Sequence, residues 1–280
     1  MNDPNNLKNI DFIKMSALGN DFVIIDSRSY NYSLNQSIIK KICNRKNIGC
    51  DQLIIIKNST QKNWVNTKNN KIENIECEIE IFNNDGSITE ACGNATRCVA
   101  GLLFEENKFN HTINIKASTR ILECKKISNQ LISVNMGIVK FSNNFFFEDF
   151  NFYCADVGNP HAVSFINNSL DDKVFFRIGS TVENHNNFPN RTNVEFAQII
   201  KDDLIEVRVW ERGVGETMAC GTGACAVVAC AIKNKLINSN DVIVKFPGGK
   251  LQIQYHDHEV IMIGTYQKIF NGIIDEKLFL

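Results

Sequence analysis

At 280 residues, with 44% hydrophobic and 22% charged residues, the chain has the make-up of a globular protein large enough for two domains. A formal net charge of −1 gives no global basic field for nucleic acid or an anionic membrane, so neither is expected as a partner. The polar start Met1-Asn2-Asp3-Pro4 lacks the apolar core of a signal peptide, and no apolar run reaches the roughly 20 residues of a membrane helix; a cytoplasmic protein is expected.

Phe12 to Met15 and Val23 to Asp26 read as strands joined by a tight turn at Gly19-Asn20, where a permissive backbone is needed. Ser33-Leu34-Asn35-Gln36 has the form of a capping box and predicts a short helix ending at Cys43. Asp51-Gln52 leads into a buried strand over Leu53 to Ile56. Lys57 to Asn74, rich in Asn, Lys and Thr, shows no periodicity and is expected to be an extended surface loop. Ile75 to Phe82 alternates apolar and acidic residues as a half-exposed strand does, and delivers the turn Asn83-Asn84-Asp85-Gly86-Ser87.

Next comes Thr89-Glu90-Ala91-Cys92-Gly93-Asn94-Ala95, and the second half carries a near copy, Thr217-Met218-Ala219-Cys220-Gly221-Thr222-Gly223. Each is followed by an apolar run, Cys98 to Phe104 and Cys225 to Ile232, with no polar face, so each predicts a helix buried on all sides. Ile113 to Ile115, Ile121 to Ile127 and Leu131 to Met136 read as a strand meander, and the first half ends near Gly137. The connection Phe141 to Phe152 shows no pattern that assigns its path.

Gly158-Asn159-Pro160-His161 then echoes Gly19-Asn20-Asp21-Phe22. Asn193 to Phe196 opens a strand, Leu204 to Trp210 alternates as another, and Glu211-Arg212 falls where Asn83-Asn84 stands in the first half. Ile261 to Ile274 returns to pair with a sheet. The order of motifs repeats, which implies internal duplication. The expected fold is α/β (α+β), with two pseudo-symmetric domains, each a mostly antiparallel β-barrel-like shell around one buried central helix. The expected boundaries are 1–137 plus 264–280, carrying Cys92, and 138–263, carrying Cys220.

Ten cysteines without a secretion signal indicate reduced thiols, and the absence of any C-x-x-C pair argues against structural zinc; no metal is expected. A thiol at a helix N-terminus lies beside unpaired N–H groups and the positive dipole end, which favour thiolate, and the same groups can seat a carboxylate. A single such cysteine is more often a small buried residue, and a pair could form a disulfide. Two matched thiols instead fit a task symmetric about its substrate, such as inverting a carbon by removing a proton from one face and returning one to the other. That chemistry requires no cofactor.

Phe12-Ile13-Lys14-Met15, Leu18-Gly19-Asn20-Asp21-Phe22, Asp51-Gln52, Asn83 to Ser87, Ala91-Cys92-Gly93-Asn94, Gly158 to His161, Asn193 to Phe196, Glu211-Arg212-Gly213 and Ala219 to Gly223 together resemble the diaminopimelate epimerase family, in its order and over nearly the whole chain. The resemblance implies a cofactor-independent isomerase interconverting LL- and meso-diaminopimelate, in lysine and cell-wall precursor biosynthesis, with the substrate in a cleft between the domains. It implies Cys92 and Cys220 as the acid/base pair and Gly93, Asn94, Gly221 and Thr222 as the seat of the reacting carboxylate. It further implies Asn20, Asn83, Asn159, Asn193 and Arg212 at the distal amino-acid end, Gln52 and Glu211 as further substrate contacts, and His161 as an auxiliary group near a thiol. The sequence departs from the family at Ser16-Ala17, where His-Gly is usual, at Asn84, where a small residue is, and at Ala95, where Gly is. Alternatives are a proline-type racemase on the same two-thiol plan and a thiol redox protein. The expected partner is a small amino acid, and a homodimer is possible.

Overall fold

The computed structural model describes every residue except 1–8, 31, 33, 67–70, 90–91, 107–110 and 280. The chain divides into two compact units, Met1–Val134 with Thr265–Leu280, and Asn135–Gly264.

In the first unit, Ile10–Ala17 and Asn20–Asp26 form a hairpin in which Met15 faces Phe22 and Ala17 faces Asn20. Leu18 and Gly19 turn it with φ of 55° and 83°, a backbone that Gly adopts without cost. Asn20–Asp26 then pairs in parallel with Gln52–Lys57, and the crossover is helix α1, Gln36–Cys43. The capping box does not account for the start of α1. Asn35 is its N-cap, with the side-chain oxygen accepting from Ile38 N at 3.0 Å; Ser33 lies outside the described residues. Ile38, Ile39, Ile42 and Cys43 are buried, as the 3.6-residue period requires.

Gln52–Lys57 pairs antiparallel with Cys77–Asn83, which pairs in parallel with Thr112–Ala117 across helix α2, Gly93–Glu105. Arg120–Lys126 and Leu131–Ile138 complete the meander. The segment expected as a plain loop holds a two-stranded ribbon, Asn63–Asn66 against Lys71–Asn74, with Trp64 opposite Glu73. Two four-residue strands are too short to show a period in the sequence.

Every residue of α2 from Gly93 to Phe104 is buried. It packs on Ile10–Ala17 near one end of the strand ladder and on Arg120–Lys126 near the other, so the sheet curls around it. Burial is tight enough to specify residue size: a Cβ on Gly101 would lie 2.3 Å from the Tyr266 ring. Arg97, wholly buried, donates to Asn94 Oδ1 at 2.6 Å and to the Thr265 carbonyl at 3.4 Å.

The second unit repeats the order. Phe150–Asp156 and Pro160–Phe165 form a hairpin; Pro160–Phe165 pairs in parallel with Asn193–Lys201, which pairs antiparallel with Leu204–Glu211. Leu204–Glu211 pairs in parallel with Asp241–Phe246, and Gly249–His256 and Glu259–Thr265 follow as a meander. The segment of unassigned path supplies two short strands, Lys140–Phe141 and Phe145–Phe147, both on Phe150–Asp156. The first parallel crossover carries helix α3, Asp172–Glu183, which the motif reading of the sequence leaves out. Its N-cap Asp171 accepts from Val174 N, and Phe175, Ile178 and Val182 face Phe152, Val194 and Phe196. The second crossover carries helix α4, Gly221–Lys233, buried from Gly221 to Ala231, as the apolar run predicts. Each Val or Leu buried this way contributes roughly 1.5–3 kcal/mol. The fold is mixed α/β, with one buried central helix in each unit.

Candidate active site

In the first unit, Cys92 is the N-cap of α2, in extended backbone (φ −140°, ψ 110°) and half-buried. The first helical bond runs from Thr96 N to the Cys92 carbonyl at 2.9 Å, so the N–H groups of Gly93, Asn94 and Ala95 have no partner within the helix. Asn94 is 2% exposed, donates to Asn20 Oδ1 at 2.7 Å and accepts from Arg97. Gln52 faces Asn83 across the ladder and donates to its Oδ1 at 3.1 Å. Asn83 in turn donates to Ser87 Oγ at 3.0 Å.

The turn at Asn20 is clamped to the start of Gln52–Lys57 by charge. Arg45 donates to both oxygens of Asp21 and to Asp51, and Asp21 N donates to Asp51 Oδ2 at 2.9 Å. Burial pushes the Asp21 carboxyl up, but hydrogen bonds from Arg45 and Lys14 outweigh it, holding the group well below the usual carboxylate range.

In the second unit, Cys220 is the N-cap of α4, 6% exposed, and its sulfur accepts from Gly223 N at 3.4 Å and lies 3.4 Å from Thr222 Oγ1. Glu211, at the end of Leu204–Glu211, accepts from the Thr217 hydroxyl. Burial first, then the charges of Glu211 and Glu195, push the Cys220 thiol well above its usual range. Burial also raises the Glu211 carboxyl. Asn193 donates to the Pro160 carbonyl at 2.9 Å and accepts from Arg212 N at 3.0 Å, which fixes the turn carrying the Arg212 guanidinium. His161 lies 3.0 Å from Asn159 Oδ1 by its Nε2 edge.

Thus Asn20, Gln52, Asn83, Asn94 and Gly93 gather in the first unit with Cys92. Asn159, His161, Asn193, Glu211, Arg212, Gly221 and Thr222 gather in the second with Cys220. A cavity of about 290 Å³ in the second unit holds none of them; Phe175 and Phe196 line it, and strand alternation puts Phe196 on the opposite face of its strand from Glu195.

Two contributors escape the motif reading. Glu195, wholly buried, meets His161 Nδ1 at 2.7 Å. The signal was an acidic residue two positions after Asn193, on the same face of an otherwise apolar strand. Glu183 accepts from Trp210 Nε1 and Gly213 N, both at 2.7 Å, and so braces the turn next to Arg212. No spacing in the sequence announces that contact, because it comes from α3.

The diaminopimelate epimerase family profile matches residues 12–142 and 153–269. The chain belongs to this family. It is 39% identical over 281 residues to a diaminopimelate epimerase of Pelagibacter ubique, covering 92% of this chain and 96% of the relative. It is 33% identical over 289 residues to one of Methanococcus maripaludis, covering 94% and 99%. Among solved structures, a Bacillus anthracis phenazine biosynthesis protein of the PhzF family superposes with a TM-score of 0.69 at 13% identity, over 96% of this chain and 99% of that one. A hydroxyproline epimerase of Agrobacterium vitis superposes with a TM-score of 0.68 at 8% identity, over 96% and 93%. At such identities the two structures establish a shared fold.

Proposed function

We propose that this protein is an isomerase interconverting LL-2,6-diaminopimelate and the meso form, with Cys92 and Cys220 exchanging protons with one α-carbon from opposite faces. The observation that carries this is the matched pair of cysteines, each capping a helix buried throughout, in a chain of the diaminopimelate epimerase family. The burial and acidic neighbours of Cys220 support its resting as the thiol that returns a proton. Cys92, half-buried, would take the α-proton in that direction of reaction. As the proton leaves, charge spreads into the substrate carboxylate, where the free N–H groups at Gly93, Asn94, Gly221 and Thr222 stabilise it.

Asn20, Gln52, Asn83, Asn159, Asn193 and Arg212 supply amides and one cation for a second, polar end of the substrate. A substrate lacking that end would forgo those contacts and bind more weakly. The reaction draws on side chains and backbone alone and needs no cofactor or metal.

We also read the protein as cytoplasmic, acting on a free amino acid; among the described residues no helix is long and apolar enough to cross a membrane. Support for a homodimer lies in Gln267–Ile274, where Ile269, Phe270 and Ile273 are exposed. The deciding experiment is α-proton exchange by NMR in deuterated water, with LL-diaminopimelate and L-proline in parallel. Exchange and conversion to the meso form with proline untouched is the expected result; exchange of proline alone would replace this reading with a proline-type racemase.

A further inference from the structure

Glu195 lies within the Asn193 to Phe196 motif, but the resemblance gives it no role. It is wholly buried on a strand whose neighbours Val194, Phe196 and Ala197 are apolar and equally buried. One carboxylate oxygen meets His161 Nδ1 at 2.7 Å; the other, Oε2, is buried with no hydrogen-bond partner among the described residues. A buried carboxylate with a free oxygen is costly and is kept only where something else depends on it. The start of α4 is built around it: a Cβ on Gly223 would lie 2.7 Å from Glu195 Oε1 and 3.2 Å from Cys220 Cβ. The same place in the first unit carries no charge. Gln52 faces Phe22 as Asn193 faces His161, so Phe22 and Ile54 stand where His161 and Glu195 do, both wholly buried.

We propose that Glu195 is a positioning residue for the second thiol alone: it locks the His161 ring by its Nδ1 edge and sets a carboxylate charge against the α4 start beside Cys220. The inference rests on the functional reading above for its consequence in turnover, but not for its physical content. A negative charge beside a buried thiol opposes its ionisation, so Glu195 adds to burial and to Glu211 in holding Cys220 protonated. Three strands and the helix face Cys220 here, and their groups act together. Glu211 adds a second carboxyl, the Gly223 N–H donates toward sulfur, and Thr222 Oγ1 lies 3.4 Å from it. Cys230, deeper along α4, feels the Glu195 charge as well.

The test is the pH dependence of iodoacetamide alkylation, read separately for the Cys220 and Cys92 peptides by mass spectrometry on the full chain. With Glu195→Gln, the Cys220 midpoint should fall by about one pH unit or more while the Cys92 midpoint stays in place. Glu195→Asp, which keeps the charge, should leave the Cys220 midpoint near that of the parent. An unmoved Cys220 midpoint in Glu195→Gln, both thiols moving together, or Asp moving as far as Gln would each overturn the proposal. Should circular dichroism show Glu195→Gln unfolded, Glu195→Ala gives the same reading without an amide to satisfy. In turnover, the pH limb of kcat/KM belonging to Cys220 should shift down in parallel. If the parent protein leaves diaminopimelate unchanged, the functional reading fails, and the alkylation midpoints still decide the role of Glu195.

Discussion

The two units wind through the same order of strands and helices, and each offers a cysteine at the start of its buried helix, yet they surround it differently. Cys92 is half-buried and makes no side-chain cap, with amides at Asn83, Gln52 and Asn94 nearby in the unit. Cys220 is buried, its sulfur caps the helix, and Glu211 and Glu195 set charge beside it, with His161 held on Glu195. The turn before the parallel strand is clamped by Asp21, Arg45 and Asp51 in the first unit and by the Asn193 amide on Pro160 in the second. Duplication preserved the backbone and the thiol, and divergence changed the charge around it.

The largest break comes from removing either sulfur. Cys92→Ala and Cys220→Ala should each lower the epimerisation rate by about a thousandfold or more, measured by NMR conversion of LL-diaminopimelate. Comparable turnover in either variant would end the two-base reading.

A paired substitution at the third helical position sharpens the comparison. Gly223→Ala forces a methyl against Glu195 and should cost roughly 1–3 kcal/mol in urea unfolding and about 10- to 100-fold in kcat. The matching change in the first unit, Ala95→Gly, removes a methyl and adds backbone freedom, for about 1 kcal/mol.

Glu183→Gln should loosen the turn that carries Arg212 by weakening its bonds to Trp210 Nε1 and Gly213 N. Steady-state assays should show KM up about tenfold with kcat little changed, the mark of lost binding at the distal end.

The smallest effect belongs to the charged clamp of the first unit. The folded Asp21 carboxyl lies below its unfolded value, so its contribution is complete above about pH 4 and is lost as pH falls through the folded value. Asp21→Asn should therefore cost roughly 1–2 kcal/mol at pH 7 and progressively less in acid, by urea melts at several pH values; Arg45 is exposed enough for solvent to screen part of the bond.

Features with local periodicity or a repeated motif were legible in the sequence. The buried helices followed from their unbroken apolar runs; the turn expected at Gly19-Asn20 is made by Leu18 and Gly19, one residue earlier, because Asn20 already pairs with Ala17. Both cysteines stand at helix N-termini, as the apolar runs that follow them indicated. Helix α3 was not legible from motifs, because its Phe175, Ile178 and Val182 form an ordinary amphipathic face with no duplicate wording in α1. Asn35 rather than Ser33 caps α1, since the side chain one residue before the helix reaches Ile38 N directly. Glu195 and Glu183 were missed for a common reason. Their importance lies in contacts with elements about 30 residues away, and no spacing rule reports those.

The first unit is discontinuous in sequence: Gln267–Ile274 pairs with Ile10–Ala17, from Ile10 against Ile274 to Ser16 against Gln267. On the ribosome, the first strand to be made waits for the last before it gains this neighbour, while residues 135–264 have all emerged. The unit carrying Cys220 can therefore complete its sheet first, although it is encoded second. Until Gln267–Ile274 arrives, one edge of Ile10–Ala17 stays open to pairing with other chains.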